Sequence, residues 1–126
     1  MERRHYSSGS SFERAIGYAR AIRVKDIVFV SGCTGYDYST MTISTDVVEQ
    51  CEQCFRNIET ALQEVGATMR DLVRVTFILP DAEDFEVCHE TIRSHIADVQ
   101  PAATMLCAGL ANEHMKIEIE VTAVVE

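Results

Sequence analysis

Gln100-Pro101-Ala102-Ala103-Thr104 opens, and Lys116-Ile117-Glu118-Ile119-Glu120-Val121-Thr122-Ala123-Val124-Val125 closes, the stretch of this 126-residue chain that decides its fold. The closing run alternates strictly. Ile117, Ile119, Val121, Ala123 and Val125 share one side of an extended chain, and Lys116, Glu118, Glu120 and Thr122 share the other. Period two over this length is the signature of a half-buried strand. Its polar side is compact and acidic, so it is either a solvated surface or the wall of a site.

Outward from that strand, Gly109 to Met115 reads as a loop and Ala103 to Ala108 as an apolar strand, with Pro101 marking the break before it. Phe85, Cys88, Ile92, Ile96 and Val99 form one face of a helix that Asp81 caps, with Glu83 and Asp84 in its first turn where the macrodipole favours negative charge. Val73, Val75, Phe77 and Leu79 make a strand that Pro80 stops. Val47, Cys51, Cys54, Phe55, Ile58, Leu62 and Val65 recur at three- and four-residue steps, the stripe of a long helix. Asp46 caps it, with Glu49 completing an acidic capping box, and Gly66 ends it. Arg20–Val24 and Ile27–Ser31 make a hairpin around Lys25-Asp26, followed by a loop from Cys33 to Thr45. Residues 1–18 are polar, and Ser7–Ser11 reads as a mobile loop. The order is β-β-α-β-α-β-β, an α+β fold with a single mixed sheet and two helices on one face, in one domain spanning 1–126. Val28, Val30, Ile78 and Leu106 are expected to make the other face partly apolar, which predicts self-association.

Composition narrows the function. A net charge of −9 with only 11 basic residues argues against nucleic acid as a main partner. No run approaches the ~18–20 apolar residues that span a bilayer, so no membrane partner is expected, and Met1–Tyr6 has no apolar leader core. Cysteines at 33, 51, 54, 88 and 107 are odd in number and sit inside apolar patterns, as expected of free thiols in the cytoplasm. Cys51 and Cys54 form a C-x-x-C more than a turn inside a helix, on its apolar stripe, which reads as core packing. A zinc site would need a second ligand pair, and none appears.

The chain resembles the Rid family, the YjgF- or RidA-like proteins, over nearly its whole length. The matching pieces are Gly17–Ala21, Val28–Gly32, Asn57-Ile58 with Ala61-Leu62, Gly66-Ala67, Asp71–Thr76, Asp84-Phe85, Pro101-Ala102 and Ile117–Ala123. Their order and spacing carry the match. The resemblance implies a chorismate-mutase-like fold and a homotrimer with small-molecule pockets between subunits. It also implies hydrolysis of 2-imino acids, as by 2-iminobutanoate/2-iminopropanoate deaminases, without metal or organic cofactor.

Carried over residue by residue, the resemblance puts the pocket tyrosine on Tyr18 and the backbone wall on Ser31, Gly32 and Cys33. A polar helix residue falls on His89, and the water-positioning glutamate on Glu118. Thr104 and Cys107 fall on pocket-lining positions. The family's carboxylate-gripping arginine, which follows Pro-Ala, is Ala103 here. Alanine supplies neither of the two charge-assisted hydrogen bonds, each worth ~1.5–3 kcal/mol, so the resemblance implies an arginine-lacking branch. Arg20 and Arg74 are the other strand arginines able to meet an anion or, more simply, a carboxylate. Two readings follow: a hydrolase of imine-like or related molecules that holds water on Glu118, or a non-catalytic ligand-binding or regulatory trimer.

Overall fold

The alternating run from Glu118 becomes an inner strand of the main sheet. The computed structural model describes residues 2–126. In chain order, strand β1 (Arg3–Tyr6) and a short helix α1 (Ser11–Ile16) precede the hairpin β2 (Ala21–Val24) and β3 (Ile27–Thr34). A small hairpin β4 (Tyr36–Asp37) and β5 (Thr42–Ile43) leads into the long helix α2 (Val47–Glu64). Strand β6 (Leu72–Leu79), helices α3 (Glu83–Val87) and α4 (His89–Ile96), and strands β7 (Ala102–Cys107) and β8 (Glu118–Val124) complete it. Six strands form one mixed sheet in the order β1-β2-β3-β8-β6-β7, antiparallel except for the parallel pair β6–β7.

The expected α+β architecture is present, with differences that have physical causes. Arg3–Tyr6 adds an edge strand to β2, with His5 opposite Ile22. Residues 11–16 are helical because the Ser10 side chain accepts a hydrogen bond from Glu13 N and Gly17 closes the helix at φ 92°. The presumed loop 33–45 contains the β4–β5 hairpin. The second helix breaks at Cys88, whose backbone (φ −89°, ψ −4°) leaves the regular helix. Asp81 Oδ1 does accept from Glu83 N at 3.0 Å.

Helix α2 behaves as its stripe requires. Asp46 accepts from Glu49 N at 3.0 Å, while the Glu49 carboxylate takes the Ser44 hydroxyl instead of closing a capping box. At the other end Gly66 adopts φ 79° and the chain turns back, with Ala67 N bonding Leu62 O at 2.8 Å. Cys51, Cys54, Phe55, Ile58 and Leu62 are wholly buried against Ile119, Val121 and Ala123 of β8. Each large side chain removed from water this way contributes roughly 1.5–3 kcal/mol. Val28 and Val30 belong to this core and not to the opposite face, correcting the expectation from sequence; Phe29, between them, is the residue that points outward, 48% exposed.

The far side of the sheet carries no helix. Across it run the rows Phe29–Thr122–Arg74–Ala102, Glu120–Thr76–Thr104 and Thr34–Glu118–Ile78–Leu106. Beyond its end a second apolar cluster forms from Tyr36, Tyr38 and Met115, with Phe12 edge-on to Tyr36 at 5.4 Å.

Gln50 stitches these parts together from inside α2. It is wholly buried, donates to Ser44 O at 2.7 Å and His114 O at 2.9 Å, and accepts from Lys116 N at 2.8 Å. Gln50→Leu fills the space but strands two carbonyls and one N–H. Urea denaturation of that variant is expected to read a loss of about 2–4 kcal/mol; a change below about 0.5 kcal/mol would show that the stitch contributes nothing.

Candidate functional site

The site begins with an irregularity between β3 and β8. Val30 faces Val121 and Cys33 faces Ile119, so Ser31 and Gly32 together oppose the single residue Glu120. Such a bulge bends the strand and re-aims its side chains. Here it lets the Glu118 side chain lie on the backbone of Gly32. A Cβ at residue 32 would stand 2.7 Å from Cδ of Glu118 and closer still to Oε2, so only glycine leaves room for the carboxylate.

Glu118 is half-buried, and burial raises its affinity for a proton; Arg20 opposes that shift and Glu120 adds to it. Tyr18 meets the same arginine, its hydroxyl accepting from Arg20 Nη2 at 3.3 Å. Ser31 donates its hydroxyl to Ala19 O at 2.7 Å. Cys33 is fully buried on the core side, where burial pushes its thiol up to about 12. A thiol in that state is not a nucleophile. Tyr18, Ser31, Gly32, Cys33 and Glu118 thus form one cluster around Arg20.

The remaining expected residues stand elsewhere in the chain. Ala103, Thr104 and Cys107 lie on β7, an exposed edge strand separated from β8 by β6. The rise between neighbouring strands puts them about 10 Å away. Thr104 shares a row with Thr76 and Glu120, whereas Ala103 pairs with the core residue Val75 and Cys107 with the core residue Leu79. Position 103 therefore sits on the opposite side of the sheet from Glu118. His89 begins α4, exposed and edge-on to Phe85 at 4.7 Å. No single chain brings all these residues to one hollow.

Two arginines resolve differently. Arg20 is 1% exposed and paired with Glu13 at 3.2 Å. Arg74 is exposed on the open face and makes no ion pair among the described residues. Glu13 was invisible to sequence pattern reading except as the fourth residue of Ser10-Ser11-Phe12-Glu13, the spacing of a capping box.

A hollow of about 300 Å³ lies on the open face, walled by Ala19, Ile22, Phe29, Ser31, Glu120 and Thr122. A larger one of about 620 Å³ runs along α2 past Gly35, Ser44, Glu49 and Arg56. Glu118 lines neither, but the smaller one lies against the bulge and shares Ser31 with the cluster, with Glu120 of the same strand in its wall. Among the described residues no cluster of three or more His, Cys, Asp or Glu is placed to hold a metal ion. No helix there is long and apolar enough to cross a membrane.

Comparison with known proteins bears on the family and the fold. The model of the family described as Endoribonuclease L-PSP matches residues 9–125. A RutC family protein of Pyrococcus abyssi is 32% identical over 107 residues, covering 84% of each chain. The mouse 2-iminobutanoate/2-iminopropanoate deaminase is 29% identical over 112 residues, covering 87% of this chain and 83% of that one. A crystal structure of a YjgF/YER057c/UK114 family member from Mycobacterium tuberculosis superposes with a TM-score of 0.89 at 33% identity, covering 98% of this chain and 100% of the other.

The raised proton affinity of Glu118 fixes the sign of a stability change. The folded chain binds this proton more tightly than the unfolded chain does, so stability falls as pH rises from the ordinary value of 4.5 through the higher folded value. Glu118→Gln is therefore expected to raise the thermal midpoint at neutral pH, and the gain should vanish in acid below 4.5. A variant less stable than the parent at neutral pH would contradict this.

Proposed function

We propose that this chain, which belongs to the Endoribonuclease L-PSP family of YjgF- and RidA-like proteins, binds a small metabolite in a hollow closed between copies of itself, with Glu118 as its working carboxylate. The observation that carries the reading is the seat of Glu118: half-buried, resting on a glycine that leaves room for nothing else, on a sheet face that no element of its own chain covers. Bare apolar side chains on the same sheet face, Phe29 at 48% and Leu106 at 48% exposed, support a second copy as the cover. The wide separation of Ala103, Thr104 and Cys107 from Glu118 also supports it, because a neighbour's β7 reaches the site where the chain's own cannot. A homotrimer is the assembly that fits the family. Five unpaired cysteines are in keeping with a cytoplasmic protein.

The chemistry proposed is hydrolysis of an imine or related small molecule, with Glu118 holding water for attack on the electrophilic carbon. Its raised proton affinity suits a group that takes and returns a proton. Tyr18 and the Ser31–Cys33 backbone would line the ligand, with His89, Thr104 and position 103 arriving from the neighbour. No cofactor enters this reading, and the net charge of −9 weighs against RNA despite the family's description. Ala103 bears on substrate: without the arginine, a 2-imino acid loses its carboxylate partner. That residue favours a second reading, a non-catalytic or regulatory binder that keeps the same hollow.

Two measurements test this. Sedimentation equilibrium at micromolar concentration should give three times the 14.1 kDa chain mass; a monomer would remove the hollow. In the second, 2-iminobutanoate is generated in situ and its decay followed. Ala103→Arg should accelerate the decay at least ~10-fold over the parent, the factor expected for one charged hydrogen bond. Glu118→Gln in that background should abolish the gain. A parent as fast as the arginine variant would contradict the role given to position 103.

A further inference from the structure

Arg20 is among the largest fully buried side chains, and its surroundings are unusually complete. A guanidinium has five N–H donors. Nε donates to Glu13 Oε2 at 3.2 Å, and Nη2 reaches the same carboxylate oxygen at 3.2 Å and the Tyr18 hydroxyl at 3.3 Å. Nη1 donates to Gly32 O at 2.6 Å and lies 3.8 Å from Cys33 Sγ. The cation also stands 4.3 Å from the centre of the Tyr38 ring. Each guanidinium nitrogen is thus engaged within the chain, so Arg20 is no free substitute for the missing clamp.

Glu13 is held as firmly. It accepts from Ser7 Oγ at 3.0 Å, Ser8 N at 2.9 Å and Ser10 Oγ at 2.6 Å, and also from the Ser8 hydroxyl. Burial alone would raise its carboxyl; the hydrogen bonds from Ser10 and Ser8, with Arg20, hold it below the usual range. Burying an ion pair gains little stability over apolar packing, so such a pair is weakly explained by stability alone. Its other contacts are more telling: the Gly32 carbonyl belongs to the residue on which Glu118 rests, and the Tyr18 hydroxyl belongs to the same cluster.

We propose that Arg20, clamped by Glu13, is a positioning residue: from beneath the sheet it fixes the Gly32 backbone and the Tyr18 hydroxyl, and its charge, metered by Glu13, sets the electrostatic field at Glu118. The N-terminal segment Ser7–Glu13 thereby becomes part of the site although none of it lines the open face. The ionisable groups around Glu118 are Arg20 ahead of β2, Glu120 on β8, and the buried thiols Cys33 on β3 and Cys54 on α2, both held neutral by burial. Arg20 is the one cation in this set, so its removal and its release from Glu13 should act in opposite directions.

The inference rests on Glu118 as the working carboxylate, but its test needs no ligand and no activity. The Glu118 side-chain carboxyl is titrated by 13C NMR in the assembled full-length protein. Arg20→Met should move its midpoint to higher pH, and Arg20→Lys should return it part of the way. Glu13→Gln, which frees the arginine's charge, should move it to lower pH, and Tyr18 ring resonances should shift in all three. Midpoints that move in the same direction in Arg20→Met and Glu13→Gln, or do not move, would overturn the proposal. Should the Arg20 variants fail to fold, Glu13→Gln decides alone, an unchanged or raised midpoint counting against it. Failure of imine hydrolysis would leave this result standing.

Discussion

At residue 32 the chain carries no Cβ, and the carboxylate of Glu118 occupies the space that one would need. That single contact depends on the two-for-one bulge at Ser31-Gly32, which turns the end of β3 so that Cys33 drops back into the core while Glu118 rises over the backbone. The constraint spreads in both directions. Beneath it, the Gly32 carbonyl is taken by Arg20, which brings Glu13 and the serine-rich segment with it. Above it, the open face inherits two carboxylates, Glu118 and Glu120, side by side on one strand, and the field there is set by how much of Arg20 remains unneutralised. A side chain at residue 32 would push the Glu118 carboxylate out of this seat.

The same arrangement divides labour between stability and function. The helix-covered face of β8, Ile119, Val121 and Ala123, is a dry core of ordinary composition. The other face keeps a half-buried carboxylate whose ionisation opposes folding, and farther along it apolar side chains left bare. The sheet's two edges differ in a way that fits. β1 presents Arg3 and Arg4, charges that discourage edge pairing, whereas β7 is uncharged, exposed along all six residues and free of proline. Of the two edges, β7 is the one left open to pairing.

Much of this was readable in advance where a period repeats. The alternation of Ile117–Val125 placed every core residue of β8, and the three-and-four spacing of α2 placed Cys51 and Cys54 in the core. Where no period exists, the reading failed. Ile27–Val30 is continuously apolar, so no alternation chooses its inward side, and the expectation that Val28 and Val30 face outward does not hold. Arg3–Tyr6 has no apolar alternation because it is an edge strand. α1 is six residues long with most of its surface in water, leaving Ser10 and Glu13 as its only signal. Nothing marks the break at Cys88, which has neither glycine nor proline beside it. The Glu13–Arg20 pair depends on Gly17 folding the chain back on itself, a tertiary event that residue types seven apart do not announce. Glu118 stands out only through the resemblance; alternation alone favours a solvated strand face for it.

The central claim is that the acidic face of β8 becomes the inner wall of a hollow only when another copy closes over it. A crystal structure of the assembled protein tests this directly. The account requires atoms of a second chain, contributed by its β7, within contact distance of Phe29 and facing Glu118 across a cavity large enough for a small molecule. Bulk solvent over Glu118 and Phe29, with β7 unpaired, would contradict it.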